Sequence, residues 1–196
     1  NGETLADAAP ALRHLDYFFP NLDEARALTG RAEPDDIADA LFDAGIKNAV
    51  VKLGSSGSLV RNAQGRWLAP CFPVARCVDT TGAGDTFAAS FIAALLEGRP
   101  PEQCAAYANA AASLCIEQLG ATTAVLDRAE IQRRFEEIRA QIRKFLMNAE
   151  ITNPGAMVFA NAPGFCIKYS SAAMPESRSE RISMRRFHPD KMRVPP

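Results

Sequence analysis

The chain has 196 residues, of which 47% are hydrophobic and 23% charged, which is typical of a soluble globular domain with a real core. The net charge of −1 argues against nucleic acid or an anionic membrane as a bulk partner, and no apolar run reaches the roughly 18 residues of a membrane span. Five cysteines without C-x-x-C spacing argue against a zinc site or a disulfide framework. The composition therefore predicts a cytoplasmic protein with reduced thiols.

The N-terminal part of the chain predicts a helix end followed by a buried strand. Residues 7–14 carry apolar side chains at helical spacing, and residues 15–19 form a short aromatic run closed by Pro20. No basic and apolar leader is visible, so we expect no signal peptide. Because the first residue is Asn1 and not Met, we expect the chain to start inside a longer one.

A polar cap follows this strand. Asn21 stands three residues before Glu24, a spacing that fits a helix capping box and a purely structural role. Residues 34–44 then form an amphipathic helix, and residues 48–53 form the next strand. A helix between two buried strands indicates a βαβ unit and a parallel sheet.

The second strand ends in a glycine-containing turn. Gly54 and Gly57 are three residues apart, and small residues at the carboxyl end of a strand allow a ligand to approach the backbone. An ordinary glycine turn is the alternative. Residues 58–61 and 66–69 are predicted to form a hairpin after it.

The segment of greatest chemical interest begins at Asp79 and reads D-T-T-G-A-G-D-T-F. A glycine-rich turn that opens onto an apolar helix presents unpaired N–H groups and the positive end of the helix dipole, which suits a phosphate or another anion. Asp85, in the first helical turn, is placed to accept a proton beside that anion. The alternative is that Thr81 is a helix cap and Asp85 a favourable first-turn acid.

The remaining pattern is helical as far as residue 145. Residues 102–118 form a helix of mostly small or apolar residues, in which Asn109 is a polar exception that needs partners. Asp127 is predicted to cap a long final helix that includes Ile142 and Phe145. From residue 148 prolines and clustered Ser and Arg predict a tail that is disordered or loosely docked.

The string from Asp79 to Phe87 resembles the second signature of the ribokinase/PfkB family of carbohydrate kinases. The resemblance runs from about Leu12 to Arg143. It implies a three-layer αβα fold with a mostly parallel sheet, of which residues 1–147 are the C-terminal part. The N-terminal half of the family fold, with a sugar-binding motif and a β lid, is not recognisable here.

The resemblance also implies roles for particular residues. The catalytic residues would be Asp85 as the general base and Gly82, Ala83 and Gly84 as the anion-binding turn. Nucleotide binding would involve Lys52, Gly54, Ser55, Gly57 and Asn109, although a core hydrogen bond is the alternative for Asn109. Asn21 and Glu24 would lie in the Mg²⁺-phosphate region, and Asp79, Thr81 and Gly120 would hold a monovalent cation.

The function implied by this resemblance is phosphoryl transfer from ATP to a hydroxyl of a small carbohydrate, with Mg²⁺ and K⁺ as cofactors. Two alternatives remain open: a non-catalytic nucleotide-binding fragment or subunit, and an ATPase that lacks the sugar site. The sugar is not readable from these residues. An incomplete kinase fold would expose a sheet edge and an apolar face, which invite self-association or a partner.

Overall fold

A computed structural model describes residues 4–121 and 127–145. The tail predicted from residue 148 lies outside the described residues. Six α-helices are observed in the described part of the chain: α1 (Leu5–Leu12), α2 (Leu22–Thr29), α3 (Pro34–Asp43), α4 (Ala83–Leu96), α5 (Pro101–Cys115) and α6 (Arg128–Arg139). The described strands are β1 (Tyr17–Phe18), β2 (Asn48–Lys52), β3 (Ser58–Asn62), β4 (Gly65–Ala69) and β5 (Arg143–Phe145).

The five strands form one sheet in the order β1-β2-β3-β4-β5. Only β1 and β2 pair in parallel, and the other three pairings are antiparallel. The α/β class is confirmed, but the expectation of a mostly parallel sheet is wrong for these strands. The reason is connection length: the crossover between β1 and β2 contains α2 and α3, whereas the short links after β2 and β3 permit only hairpins.

The sheet is covered on both faces, as the three-layer prediction requires. Alternation along β2 sends Ala49 and Val51 to one face, where they pack with α1, α2 and α3. Val50 points to the other face and packs with residues of α4, α5 and α6. Because neighbouring residues of a strand point to opposite faces, one short apolar strand can serve two cores.

The last predicted helix is shorter than expected. Asp127 caps it as predicted, by accepting a hydrogen bond from the Ala129 amide. The helix ends at Arg139, however, and the chain then forms β5 antiparallel to β4. Ile142 and Phe145 were therefore assigned to the wrong element, because a spacing of three to four residues does not distinguish helix from a turn followed by a strand.

Two adjacent helices form most of one layer. In α5 every residue from Cys104 to Ala111 is buried, as its small side chains predicted, and α4 contributes Phe87 and Phe91 to the same core. The Phe91 ring meets the rings of Tyr17 and Phe19, with centroids 5.5 and 5.0 Å apart. This contact packs the middle of α4 against β1 and the residue that follows it. Within the described residues, none of the helices has the length and apolarity to cross a membrane.

Candidate active site

Three of the predicted site segments meet where β1 and β2 end. Asn21 and Lys52 form a parallel bridge between the two chain segments, and the Lys52 amide donates to the Pro20 carbonyl at 2.9 Å. Parallel strands bring their carboxyl ends to the same sheet edge, where α/β folds commonly bind ligands. The arrangement thus places the cap of α2 and the glycine turn after β2 side by side.

The cap of α2 is a complete capping box. The Asn21 side-chain oxygen accepts from the Glu24 amide at 2.8 Å, and the Glu24 carboxylate accepts from the Asn21 amide at 2.7 Å. The structural interpretation of N-x-x-E is therefore correct. The cap uses only one carboxylate oxygen of Glu24. The side chain is exposed, and its second carboxylate oxygen takes no part in the cap.

The two glycines of the turn after β2 have different surroundings. Gly54 has a φ of +61°, and a Cβ on it would meet nothing within 4 Å. Gly57 has a φ of +93°, and a Cβ on it would lie 2.1 Å from the Ala69 carbonyl oxygen. The close neighbour of Gly57 is therefore protein backbone, which leaves no room there for a ligand. The surface open to a ligand is that of Gly54 and the exposed Ser55.

The helix α4 begins with a set of unpaired amides. Gly82, with a φ of +79°, is its N-cap residue. The amides of Gly84 and Asp85 donate to no protein acceptor in the described part of the chain. Orphan N–H groups at a helix N-terminus attract anions. The exposed Asp85 side chain stands in this same first turn.

Lys52 reaches the first turn of α4. A Cβ placed on Gly84 would lie 3.2 Å from Lys52 Nζ, so the ammonium group occupies the space that a larger residue would take. No ion pair of Lys52 is observed within the described ranges. The first turn of α4 thus combines an ammonium group, two orphan amides and the exposed side chain of Asp85. The sequence assigned Lys52 to the nucleotide turn and did not anticipate its position beside Gly84.

Asp79 comes three residues before Gly82, the N-cap of α4. One oxygen of its carboxylate accepts from the Thr81 amide at 2.9 Å and from the Thr81 hydroxyl at 2.7 Å. The other oxygen accepts from the Gly120 amide at 2.9 Å. The Thr81 amide, the Thr81 hydroxyl and the Gly120 amide together hold the pKa of Asp79 below its usual value.

Asn109 lies in the core. Its side-chain nitrogen donates to the Ser58 hydroxyl at 3.0 Å and to the carbonyls of Ala69 and Pro70 at 3.1 and 3.0 Å. The side chain is 5% exposed. These contacts match the core alternative, and the nucleotide-binding role of Asn109 stays a prediction. Because Gly57 packs on the same Ala69 carbonyl, Asn109 also braces the backbone beneath the glycine turn.

Replacing Asn109 with alanine is expected to lower the free energy of unfolding by about 1–3 kcal/mol, because buried acceptors lose their donor. Urea unfolding and calorimetric titration with ATP, run on the same variant, separate the two interpretations. A stable variant with weak ATP binding would contradict the core role and support direct nucleotide contact.

The predicted metal-binding residues could each supply a single ligand or hold a metal-bound water, but they do not form a site made of protein ligands alone. The described residues contain no group of three or more His, Cys, Asp or Glu side chains able to hold a metal. One free Glu24 oxygen suits Mg²⁺, which keeps most of its waters and takes few protein carboxylates. Both Asp79 oxygens already accept protein hydrogen bonds, so a monovalent cation would depend more on backbone oxygens.

Comparison with known proteins gives one consistent result. A family model described as pfkB family carbohydrate kinase matches residues 2–128. Ribokinase of Arabidopsis thaliana is 40% identical over 126 residues, which are 61% of this chain and 33% of the relative. The 2-dehydro-3-deoxygluconokinase of Bacillus subtilis (strain 168) is 33% identical over 105 residues, which are 54% of this chain and 32% of the relative.

A solved E. coli structure in complex with ATP and Mg²⁺ agrees with this result. It has a TM-score of 0.60 and 26% sequence identity, and the match covers 67% of this chain and 42% of that one. The fold and these matches therefore define an α/β protein of the ribokinase-like class. The chain belongs to the pfkB family of carbohydrate kinases. It spans about a third of the length of the two curated relatives.

Proposed function

We propose that this chain carries the ATP-binding and phosphoryl-transfer part of a carbohydrate kinase. The observation that carries the proposal is the convergence at the first turn of α4. There the amides of Gly84 and Asp85 are unpaired, the Lys52 ammonium lies against Gly84, and the exposed Asp85 side chain belongs to the same helical turn. This set offers a proton acceptor and a fixed positive potential, which are the two requirements of phosphoryl transfer to a hydroxyl.

In the proposed reaction the acceptor oxygen forms a bond to the γ-phosphorus of ATP while the bond between that phosphorus and the bridging oxygen breaks. Asp85 takes the hydroxyl proton, and ADP leaves with the electron pair of the broken bond. Negative charge collects on the equatorial oxygens, where the amides of the α4 turn hold it without having to reorganise. A positioned general base contributes about 10²–10⁴-fold to such a rate.

The nucleotide would lie along the edge formed by the capping box of α2 and the turn that contains Gly54 and Ser55. Gly54 supports this placement because the space above it is open. When bound with ATP, Mg²⁺ would neutralise phosphate charge, and Glu24 would hold one of its waters through the free carboxylate oxygen. K⁺ would sit behind the α4 turn near the backbone of Asp79, Thr81 and Gly120.

The acceptor is proposed to be a small carbohydrate or a carbohydrate derivative, because the relatives named above act on different compounds of that class. Residues that select among sugars are not identifiable in the described part of this chain. The proposed reaction therefore needs the rest of a kinase fold, supplied in the same polypeptide or by a partner. A reducing cytoplasm suits this proposal, since the four described cysteines are free.

A second candidate is a nucleotide-binding subunit without catalysis, which is favoured by the open surface at Gly54 and the exposed Ser55. ATP hydrolysis is the related third outcome, because Asp85 is exposed to water. Calorimetric titration with ATP, with and without Mg²⁺, tests binding. A coupled assay of ADP release, with a sugar panel and with none, then separates a kinase from an ATPase and from a binder. Absence of ATP binding would overturn the proposal.

Replacing Lys52 with methionine keeps most of the length of the side chain and removes its charge. We expect the rate of phosphoryl transfer to fall about tenfold to a hundredfold, because a hydrogen bond to a charged group is worth about 1.5–3 kcal/mol. Lys47→Met is the matched control, since Lys47 lies at the other end of β2 and pairs with Asp16 at 2.6 Å. Equal rates for the two variants would show that Lys52 does not contribute to phosphoryl transfer.

A further inference from the structure

One arginine of α6 connects three separate parts of the chain. Arg134 is 7% exposed, and its guanidinium group donates to the Glu130 carboxylate on its own helix at 2.9 Å. It also donates to the Ser113 hydroxyl at 2.9 Å and to the Glu117 carboxylate at 2.7 Å, at the end of α5 and just beyond it. All three nitrogen atoms of the group therefore have acceptors.

The flat face of the same guanidinium group lies over an aromatic ring. Its central carbon is 4.7 Å from the centroid of the Phe72 ring, which is a cation–π contact. Phe72 is half-buried and stands three residues after the end of β4, at the start of the link to α4. Arg134 thus holds the chain segment that leaves β4 as well as the end of α5.

The segment that leaves β4 also packs against the glycine turn after β2. A Cβ on Gly57 would lie 2.9 Å from the Cys71 amide nitrogen and 3.0 Å from the Pro70 carbonyl carbon. Because backbone meets backbone here, a displacement of residues 70–72 would displace the turn that contains Gly54 and Ser55. That turn is part of the edge along which the nucleotide is proposed to lie.

The chemistry of Arg134 favours a role in fixing this geometry. A buried ion pair is seldom needed only to join two helices, since well-packed apolar residues of similar volume are often as stabilising or more so. A guanidinium group adds direction, because its planar fork of donors and its flat face fix the orientation of every partner. Arg134 lies beyond residue 128, where the family match ends, so its role is inferred from its contacts alone.

We propose that Arg134 is a positioning residue for ATP, which holds Phe72 and so keeps the exit of β4 and the glycine turn in the shape that binds the nucleotide. This inference rests on the proposed function, because the glycine turn is taken to bind ATP. Arg134 acts through Phe72 and the backbone of residues 70–72, and not by contact with the nucleotide. An ion pair that only joined α5 to α6 would change the stability of the protein and not its affinity for ATP.

The test compares Arg134→Lys with a matched control, Arg99→Lys, in the full chain. Arg99 also lies over an aromatic ring, with its central carbon 4.9 Å from the Tyr107 centroid, and it also binds a side chain of the α5–α6 layer, Gln132, at 3.0 Å. It stands in the link between α4 and α5 and not at the exit of β4. In both variants lysine keeps the positive charge but loses the flat face and the fork of donors.

Calorimetric titration with ATP measures the dissociation constant and the number of binding sites per chain separately. We expect Arg134→Lys to raise the Kd for ATP about threefold to thirtyfold, the equivalent of a lost cation–π contact, with the number of sites unchanged. A purely structural loss would lower the number of sites, because unfolded chains do not bind, and would leave the Kd unchanged. Arg99→Lys should keep the native Kd. A native Kd in Arg134→Lys, or a rise no larger than that in Arg99→Lys, would overturn the proposal.

A second substitution tests whether Arg134 acts through Phe72. Phe72→Leu removes the ring and keeps an apolar side chain. If the two residues act as one unit, the double variant should bind ATP within about twofold of the weaker single variant, because the contact is lost only once. Phe72→Leu combined with Arg99→Lys gives the reference for independent sites. Independent effects of Phe72→Leu and Arg134→Lys would overturn the proposed link.

Binding of ATP by the native chain is measured first, because its absence would overturn the proposed function and, with it, the role of Arg134. If the native chain binds ATP and Arg134→Lys binds it equally well, the proposed function stands and only the role of Arg134 fails. The two failures are therefore distinguishable in one set of titrations.

Discussion

Replacing Asp85 with asparagine is expected to lower the rate of phosphoryl transfer by about 10²–10⁴-fold, the usual contribution of a positioned general base. The amide has the shape of the carboxylate but cannot take the proton of the attacking hydroxyl. ATP affinity should change little, because Gly54, Lys52 and the α4 amides are untouched. The measurement is the coupled assay of ADP release in the presence of sugar, paired with calorimetric titration with ATP.

A control for this variant is available on another helix. Asp36 occupies the same third helical position of α3 that Asp85 occupies in α4, and both side chains are exposed. Each substitution removes a favourable interaction of an acid with a helix N-terminus, worth about 0.3–1 kcal/mol. Asp36→Asn should therefore match Asp85→Asn in stability and retain the native rate. If Asp85→Asn also transfers phosphate at the native rate, Asp85 is not the base.

Replacing Gly57 with alanine is expected to lower the free energy of unfolding by about 3 kcal/mol or more, because backbone strain and overpacking add. The backbone has a φ of +93° and a ψ of −134°, a combination that essentially only glycine adopts. The new Cβ would also lie 2.1 Å from the Ala69 carbonyl oxygen and 2.9 Å from the Cys71 amide nitrogen. These atoms are backbone, so the exit from β4 would have to move. Urea unfolding measures the loss.

Two other glycines allow the cost of backbone strain to be measured without the cost of a steric clash. Gly54 and Gly98 have φ values of +61° and +82°, and a Cβ on either would meet nothing within 4 Å. Alanine at these positions should cost only about 1–2 kcal/mol, the price of a left-handed conformation. Gly98 lies outside the site, so Gly98→Ala should leave ATP binding unchanged. A Gly57→Ala variant no less stable than Gly98→Ala would show that the backbone at Ala69 yields easily.

The local elements were largely predictable because their signals are local. The capping box of Asn21 and Glu24, the amphipathic pattern of α3 and the small residues of α5 each predicted an element that the structure contains. The end of α6 was not predictable in the same way. Ile142 and Phe145 continue a helical spacing, and only the pairing of β5 with the free edge of β4 decides that the chain is extended there.

The features of the candidate site also fall into those that local sequence predicts and those that depend on long-range contacts. By itself the sequence determined the glycine-rich turn, the acid in the first turn of α4 and the family to which that string belongs, because these depend on neighbouring residues. Tertiary structure alone decided that Lys52 lies against Gly84, that Asp79 bridges Thr81 and Gly120, and that Asn109 faces the core. Lys52 and Gly84 are 32 positions apart, Asp79 and Gly120 are 41 apart, and Asn109 and Ala69 are 40 apart. No local pattern encodes such pairings, since they arise only when both cores pack around the sheet and fix which chain segments meet.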